Sequence, residues 1–262
     1  MRHDTCAKVA SLSVDSGIVG PGERLIIVVG NYGSGKTEVA VNLALVLAGQ
    51  GATVQLADLD LVNPYFRSRE ARELLEAQGI RVVMPSPRLA SSDLPIVVPE
   101  IRGMLRPPAG TRSIFDVGGD EVGARVLGSL SPELAAGSYE LWQVINAQRP
   151  FTADVEGCLA MQRDIEQASR LRVTGLLANS HLIDETTPET VLAGWRLAQE
   201  VAQRSGLPIR AVAMLERLVG APALADAIDA PVLSLRRTMV PPWLARDTVV
   251  RPGEDVHGTH RD

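Results

Sequence analysis

The chain contains 24 arginines and only two lysines, and one of those lysines, Lys36, sits in Gly30-Asn31-Tyr32-Gly33-Ser34-Gly35-Lys36-Thr37. Position 36 therefore calls for an ammonium where most cationic positions use a guanidinium. The pattern G-x-x-x-x-G-K-[ST] supplies the reason. Its glycines let backbone N–H groups curl around a polyphosphate. A compact ammonium on a thin stem reaches between phosphates where a planar guanidinium does not fit. The Thr37 hydroxyl is of the type that ligates Mg²⁺. Glu38, directly after the motif, is grouped with it as a nucleotide-contacting residue.

Further residues that could share such a site end other apolar runs. Asp58-Leu59-Asp60 follows a strand-like stretch, and acids at i and i+2 face the same edge of a sheet. One of them can hold Mg²⁺ through water while the other orients or deprotonates an attacking water. Asp116-Val117-Gly118-Gly119 ends another run, with Asp116 suited to Mg²⁺ and the Gly119 N–H to a terminal phosphate. Asn179 closes a later run and carries an amide that can read a nucleobase edge. No N-K-x-D is present, which points to adenine over guanine. His181 reads as a loop histidine, and His257 and His260 as residues of a tail. Arg67, Arg69, Arg72 and Arg236 fit either phosphate contact or a solvated face.

The elements that must position these residues alternate in type. Strands are expected at 25–29, 53–58, 80–84, 112–117, 139–145, 171–178, 209–214 and 231–235. Helices are expected at 37–48, 67–78, 152–168 and 188–205, with one or two helical turns at 101–105. Leu74 and Leu75 define the apolar face of the second helix. Pro85, Pro87, Pro95 and Pro99 mark an irregular connection. This alternation predicts an α/β fold of three layers, a mostly parallel sheet with helices on both faces. The expected domains are an N-terminal extension at 1–23, a P-loop nucleotide-binding domain at 24–240 and a flexible C-terminal tail at 241–262. Ligands of such a sheet bind at the carboxyl ends of the strands.

Composition narrows the function class. A 45% apolar fraction carried by Ala, Leu and Val builds a sizeable core with only nine aromatic residues. A net charge of −5 gives no general attraction to nucleic acid or anionic lipid. The apolar runs are strand-length, so no membrane span is expected, and no secretory signal is evident. Cys6 and Cys158 form no C-x-x-C pair, which favours a reducing compartment, the cytoplasm by default, over a metal or iron–sulfur role.

On these motifs the chain resembles the MinD/ParA/CobQ-like branch of P-loop NTPases (the SIMIBI class) over residues 24–240. The resemblance implies that Asp60 positions the attacking water, that Asp116 serves Mg²⁺ and that Asn179 contacts adenine. One departure stands out: the family usually carries an extra lysine after the first glycine of the loop, and this chain has Asn31. That lysine reaches across a nucleotide-sandwiched dimer, so hydrolysis here should be slow or use a substitute cation, with an arginine of 67–72 or Arg236 as candidates. No basic C-terminal membrane-anchor helix is evident. The reading is a cytoplasmic Mg²⁺- and ATP-binding (or ADP-binding) protein, a slow ATPase that switches an interaction, with a homodimer or an unidentified protein as partner. Two alternatives stand beside it: an ATP-dependent phosphotransferase or ligase on a small acceptor, and a non-catalytic nucleotide-binding regulator.

Overall fold

The structure is a computed structural model and describes residues 15–60, 69–84, 99–119, 121–134 and 138–238. Within them eight strands form one sheet, and every pairing is parallel. The strands are β1 (Leu25–Gly30), β2 (Thr53–Leu59), β3 (Arg81–Val83), β4 (Thr111–Val117), β5 (Glu140–Ile145), β6 (Gly175–Ala178), β7 (Ile209–Leu215) and β8 (Val232–Leu235). The helices are α1 (Lys36–Gly49), α2 (Arg69–Ala77), α3 (Pro99–Met104), α4 (Glu121–Leu130), α5 (Val155–Ser169), α6 (Pro188–Ser205) and the short α7 (Pro222–Ala225). The strand order is β3-β2-β4-β1-β5-β6-β7-β8. On one side of β1 the chain lays down β2 and then the edge strand β3 and returns to place β4 between β1 and β2, then builds β5 to β8 outward on the other side. The order thus reverses beside β1, which opens a crevice where its carboxyl end gives way to the Gly30–Thr37 loop.

Burial explains why the strands read as continuous apolar runs and not as alternating ones. All six residues of β1 are buried. Ile26 and Val28 pack with α1 residues such as Val39, Leu43 and Leu47 on one face. Leu25, Ile27 and Val29 pack on the other with Ile101 and Met104 of α3, Leu127 of α4 and Ile165 of α5. A third cluster joins Trp195 and Ala198 of α6 to Val212 and Met214 of β7. The expected α/β architecture is thus present, and the sheet is wholly parallel where only a mostly parallel one was anticipated.

Several local expectations change. The 171–178 run forms a strand only over β6, because Leu171 and Val173 are buried under the α4–α5 face before the sheet resumes. Leu75 of α2 is buried whereas Leu74 is exposed. Helix α4 has no counterpart in the sequence reading: Gly123 and Gly128 disguise it as a Gly-rich turn. A Cβ at position 128 would lie 2.7 Å from the Ala168 carbonyl of α5. Here the glycine permits two helices to touch and does not break one. The irregular connection expected at 85–100 lies outside the described residues up to 98, and its last two residues, Pro99 and Glu100, instead open α3; the 241–262 tail also lies outside the described residues. Residues 15–23 of the expected extension pack on the sheet: Ser234 N–H donates to Asp15 Oδ1 at 2.8 Å and Ile18 is buried.

Candidate functional site

The phosphate loop leaves β1 at Gly30 and enters α1 at Lys36, so the first N–H groups of α1 point out of the helix without intrahelical acceptors. Together with the helix dipole they make a positive end for an anion. Gly33 and Gly35 have φ of +71° and +87°, a left-handed turn that only glycine enters readily. A Cβ at Gly35 would also collide with the Asn179 amide, whose Nδ2 donates to the Ser34 carbonyl at 2.8 Å. Asn179, expected to read a base, thus also braces the loop from the end of β6.

Lys36 is buried, and its Nζ donates to the Asn31 carbonyl at 3.0 Å across the loop. The Asn31 side chain turns back on its own loop, where its Oδ1 accepts the Tyr32 N–H at 2.7 Å. Position 31 is therefore used to shape the turn and does not reach outward, while the Tyr32 ring stands 70% exposed at the rim. Glu38 lines the same cavity as Lys36 and Thr37, but its Oε1 accepts both the N–H and the hydroxyl of Thr238. It fastens the segment after β8 over the start of α1, as do the two hydrogen bonds between Asn42 and the Arg236 backbone.

The acids converge from two adjacent strands. Asp58 of β2 and Asp116 of β4 are directly in register. Thr37 Oγ1 donates to Asp116 Oδ2 at 2.6 Å, while the buried Asp116 Oδ1 has no hydrogen-bond partner. Burial first, and the neighbouring Asp58 charge second, push the Asp116 carboxyl up to about 7, against lowering by the Thr37 hydroxyl and Lys36. Asp58 Oδ1 also accepts the Asp60 N–H at 2.9 Å, which fixes the turn that carries Asp60 into the cavity beside Lys36 and Thr37. A hydroxyl and two carboxylates, one of them with an orphaned oxygen, are a hard-oxygen donor set that fits Mg²⁺. Among the described residues no cluster of three or more His, Cys, Asp or Glu is built to hold a metal.

Gly119 follows β4 and presses against the loop. A Cβ there would stand 2.6 Å from Tyr32 N and 2.7 Å from Lys36 Nζ. Deeper along the edge the cavity is walled by Ile183, Ala213, Met214, Leu215 and Leu235, an apolar slot next to Asn179.

Two residues of this site went unassigned in sequence. Arg149, in the turn after β5, donates its Nε–H to the Gly33 carbonyl at 2.8 Å and lines the cavity. His181 lies against the loop with its Nε2 buried and unpartnered; burial and the Arg149 charge hold its pKa below the usual histidine range. The signal available for both was position: each follows the carboxyl end of a strand on the loop's edge of the sheet. Of the arginines proposed as substitute cations, the two whose side chains are described are engaged elsewhere. Arg236 pairs with Glu216 and Arg72 with Glu76. Arg67 lies outside the described residues, and so does the side chain of Arg69. Among the described residues no helix is long and apolar enough to cross a membrane. Cys158 is buried, and burial pushes its thiol up to about 12.

Sheet order, loop and acids together define a P-loop NTPase nucleotide-binding domain. The CobQ/CobB/MinD/ParA nucleotide binding domain model matches residues 25–208, and the chain belongs to that family. Among solved structures, cell division protein FtsY of Thermotoga maritima is similar in fold, with a TM-score of 0.56 and 20% identity over 83% of this chain and 71% of that one. Chloroplast FtsY of Physcomitrella patens has a TM-score of 0.49 and 19% identity over 84% and 70%. An ADP-bound nucleotide-binding protein of Archaeoglobus fulgidus has a TM-score of 0.42 and 19% identity over 75% and 86%. No curated protein matches the chain.

Proposed function

We propose that this protein is a Mg²⁺-dependent ATP-binding protein and slow ATPase that uses its nucleotide state to switch an interaction in the cytoplasm, with a second copy or another protein as partner. The observation that carries this reading is the meeting of Lys36, Thr37 and Asp60 in one cavity, with Asp116 hydrogen-bonded to Thr37 at its floor. Lys36 and the loop amides hold the phosphates, and Lys36 exchanges its hold on the Asn31 carbonyl for them. Thr37 and Asp116, with Asp58 beside them, hold Mg²⁺, which when bound neutralises phosphate charge. Asp60 orients water. Asn31 supports the expectation of slow turnover, because a neutral amide folded into its own turn adds no charge stabilisation to the reaction. Adenine is favoured by the apolar slot and the Asn179 amide. Among the described residues the acids lining the cavity are Glu38 and Asp60, and Asp184 is held by Arg237 and does not line it.

Calorimetry with Mg-ATP and Mg-GTP tests the reading. Wild type should bind the adenine nucleotide. Lys36→Ala should lose roughly ten- to a hundredfold in affinity, the scale of a hydrogen bond to a charged group. Unchanged affinity in the variant would refute the assignment. Light scattering on the eluting protein in Mg-ATP and Mg-ADP should reveal a nucleotide-dependent assembly, and an identical mass in both would remove the homodimer.

A further inference from the structure

We infer that Arg149 is a second phosphate-contacting cation of this site, supplied by the same chain and held on the loop opposite Lys36 to receive the di- or triphosphate of a nucleotide. The inference deepens the proposed function and rests on it.

Four observations carry it. The guanidinium lies on the phosphate loop itself: Nε–H donates to the Gly33 carbonyl at 2.8 Å. A Cβ at Gly33 would come within 3.0 Å of the guanidinium carbon and 3.2 Å of Nη2, so the bare glycine is what lets the fork approach so closely. Among the described residues no carboxylate forms a salt bridge with Arg149, and the Gly33 bond uses only one of its five N–H groups. Finally, it lines the same cavity as Lys36 and Thr37. A guanidinium with four N–H groups left over, set beside the loop amides in that cavity, is suited to an anion.

The turn that presents Arg149 is built to hold it still. Asn146, fully buried at the end of β5, accepts the Arg149 N–H and the Thr152 hydroxyl on its carbonyl, at 3.1 and 2.8 Å. Its Oδ1 accepts the Gln148 N–H at 2.9 Å. The Thr152 N–H donates to the Arg149 carbonyl at 3.0 Å, and Ser180 Oγ accepts the Ala147 N–H at 2.9 Å. A preorganised fork loses little freedom on meeting a phosphate and can grip two of its oxygens at once.

The test is a phosphate series, namely the mono-, di- and triphosphate of the purine nucleoside that wild type binds, measured with Mg²⁺ on the full chain. Arg149→Ala should weaken the di- and triphosphate by roughly ten- to a hundredfold and leave the monophosphate within about twofold. It should also flatten the salt dependence of triphosphate binding. Arg149→Lys keeps the charge without the fork and should fall between wild type and Arg149→Ala; if the alanine variant does not fold, it carries the test alone. Equal affinity in variant and wild type overturns the inference. So does a loss that is the same for all three phosphates, because that marks Arg149 as a mere strap on Gly33. If wild type binds and only Arg149→Ala matches it, the nucleotide reading survives and this inference falls. If wild type binds none of the series, both fall.

Discussion

Replacing Asp116 with Asn tests the electrostatics of the corner proposed to hold Mg²⁺ without needing a ligand. The Asp116 carboxyl titrates near 7 in the folded protein against 3.8 in an ordinary setting, chiefly because it is buried and secondly because Asp58 stands beside it. The folded state therefore holds this proton more tightly than the unfolded chain. The stability it confers is complete below the unfolded value and is lost as pH rises through the folded one. From those two values, the contribution lost between about pH 5.5 and about pH 8 is about 2 kcal/mol, or roughly 4–8 °C in Tm for a chain of this size. Asn has the shape of the protonated acid: its Oδ1 can still accept from Thr37, and its Nδ2 can face Asp58. In the metal-free protein, the stability advantage of Asp116→Asn over wild type should grow by about 2 kcal/mol from the acid to the alkaline end. Urea unfolding with a chelator present, at both pH values, measures this directly. Groups away from this corner contribute alike to both proteins, so the difference between them reads position 116 together with its coupling to Asp58. Mg²⁺ with nucleotide should then stabilise wild type more than the variant. If the variant shows the same pH slope as wild type, Asp116 is not the buried, proton-holding acid described here.

Two further outcomes follow from the site. Asp60→Asn should keep nucleotide affinity within a few-fold and cut phosphate release by about a hundredfold or more, the usual scale for a residue that orients or deprotonates water; unchanged release, measured in a coupled assay, would take Asp60 out of the chemistry. Gly119→Ala places a methyl against backbone atoms of residues 31 and 32, so the segment after β4 must move off the loop, at a cost of about 1–3 kcal/mol. Triphosphate affinity should fall more than diphosphate affinity, and equal losses would separate Gly119 from the terminal phosphate.

Much of the site was legible because its signals are local. The loop needs particular residue types in unbroken order, and the buried run before it and the helix after it are their own neighbours in sequence. Asp58, Asp60 and Asp116 were found because a parallel sheet gathers strand ends at one edge, so any acid closing an apolar run is a candidate. Helix α4 was hidden because Gly123 and Gly128 mimic a turn, and the helical role of Gly128 depends on Ala168, which lies across the fold in α5.

What the sequence determined unaided is the chemistry on offer: an ammonium, a hydroxyl and a ring of backbone amides for a polyphosphate, and the wholly buried strands that force a parallel α/β sheet around them. What tertiary structure decided is which long-range partners those groups meet. Asp58 and Asp116 become a pair only because β2 and β4 lie side by side with that register. Asn31 turns inward, Glu38 is drawn to Thr238, and Arg149 rather than Arg236 comes to rest on the loop. The physical reason is that a hydrogen bond or a charge interaction acts over a few ångströms, while its two ends here are separated by up to 200 residues of chain.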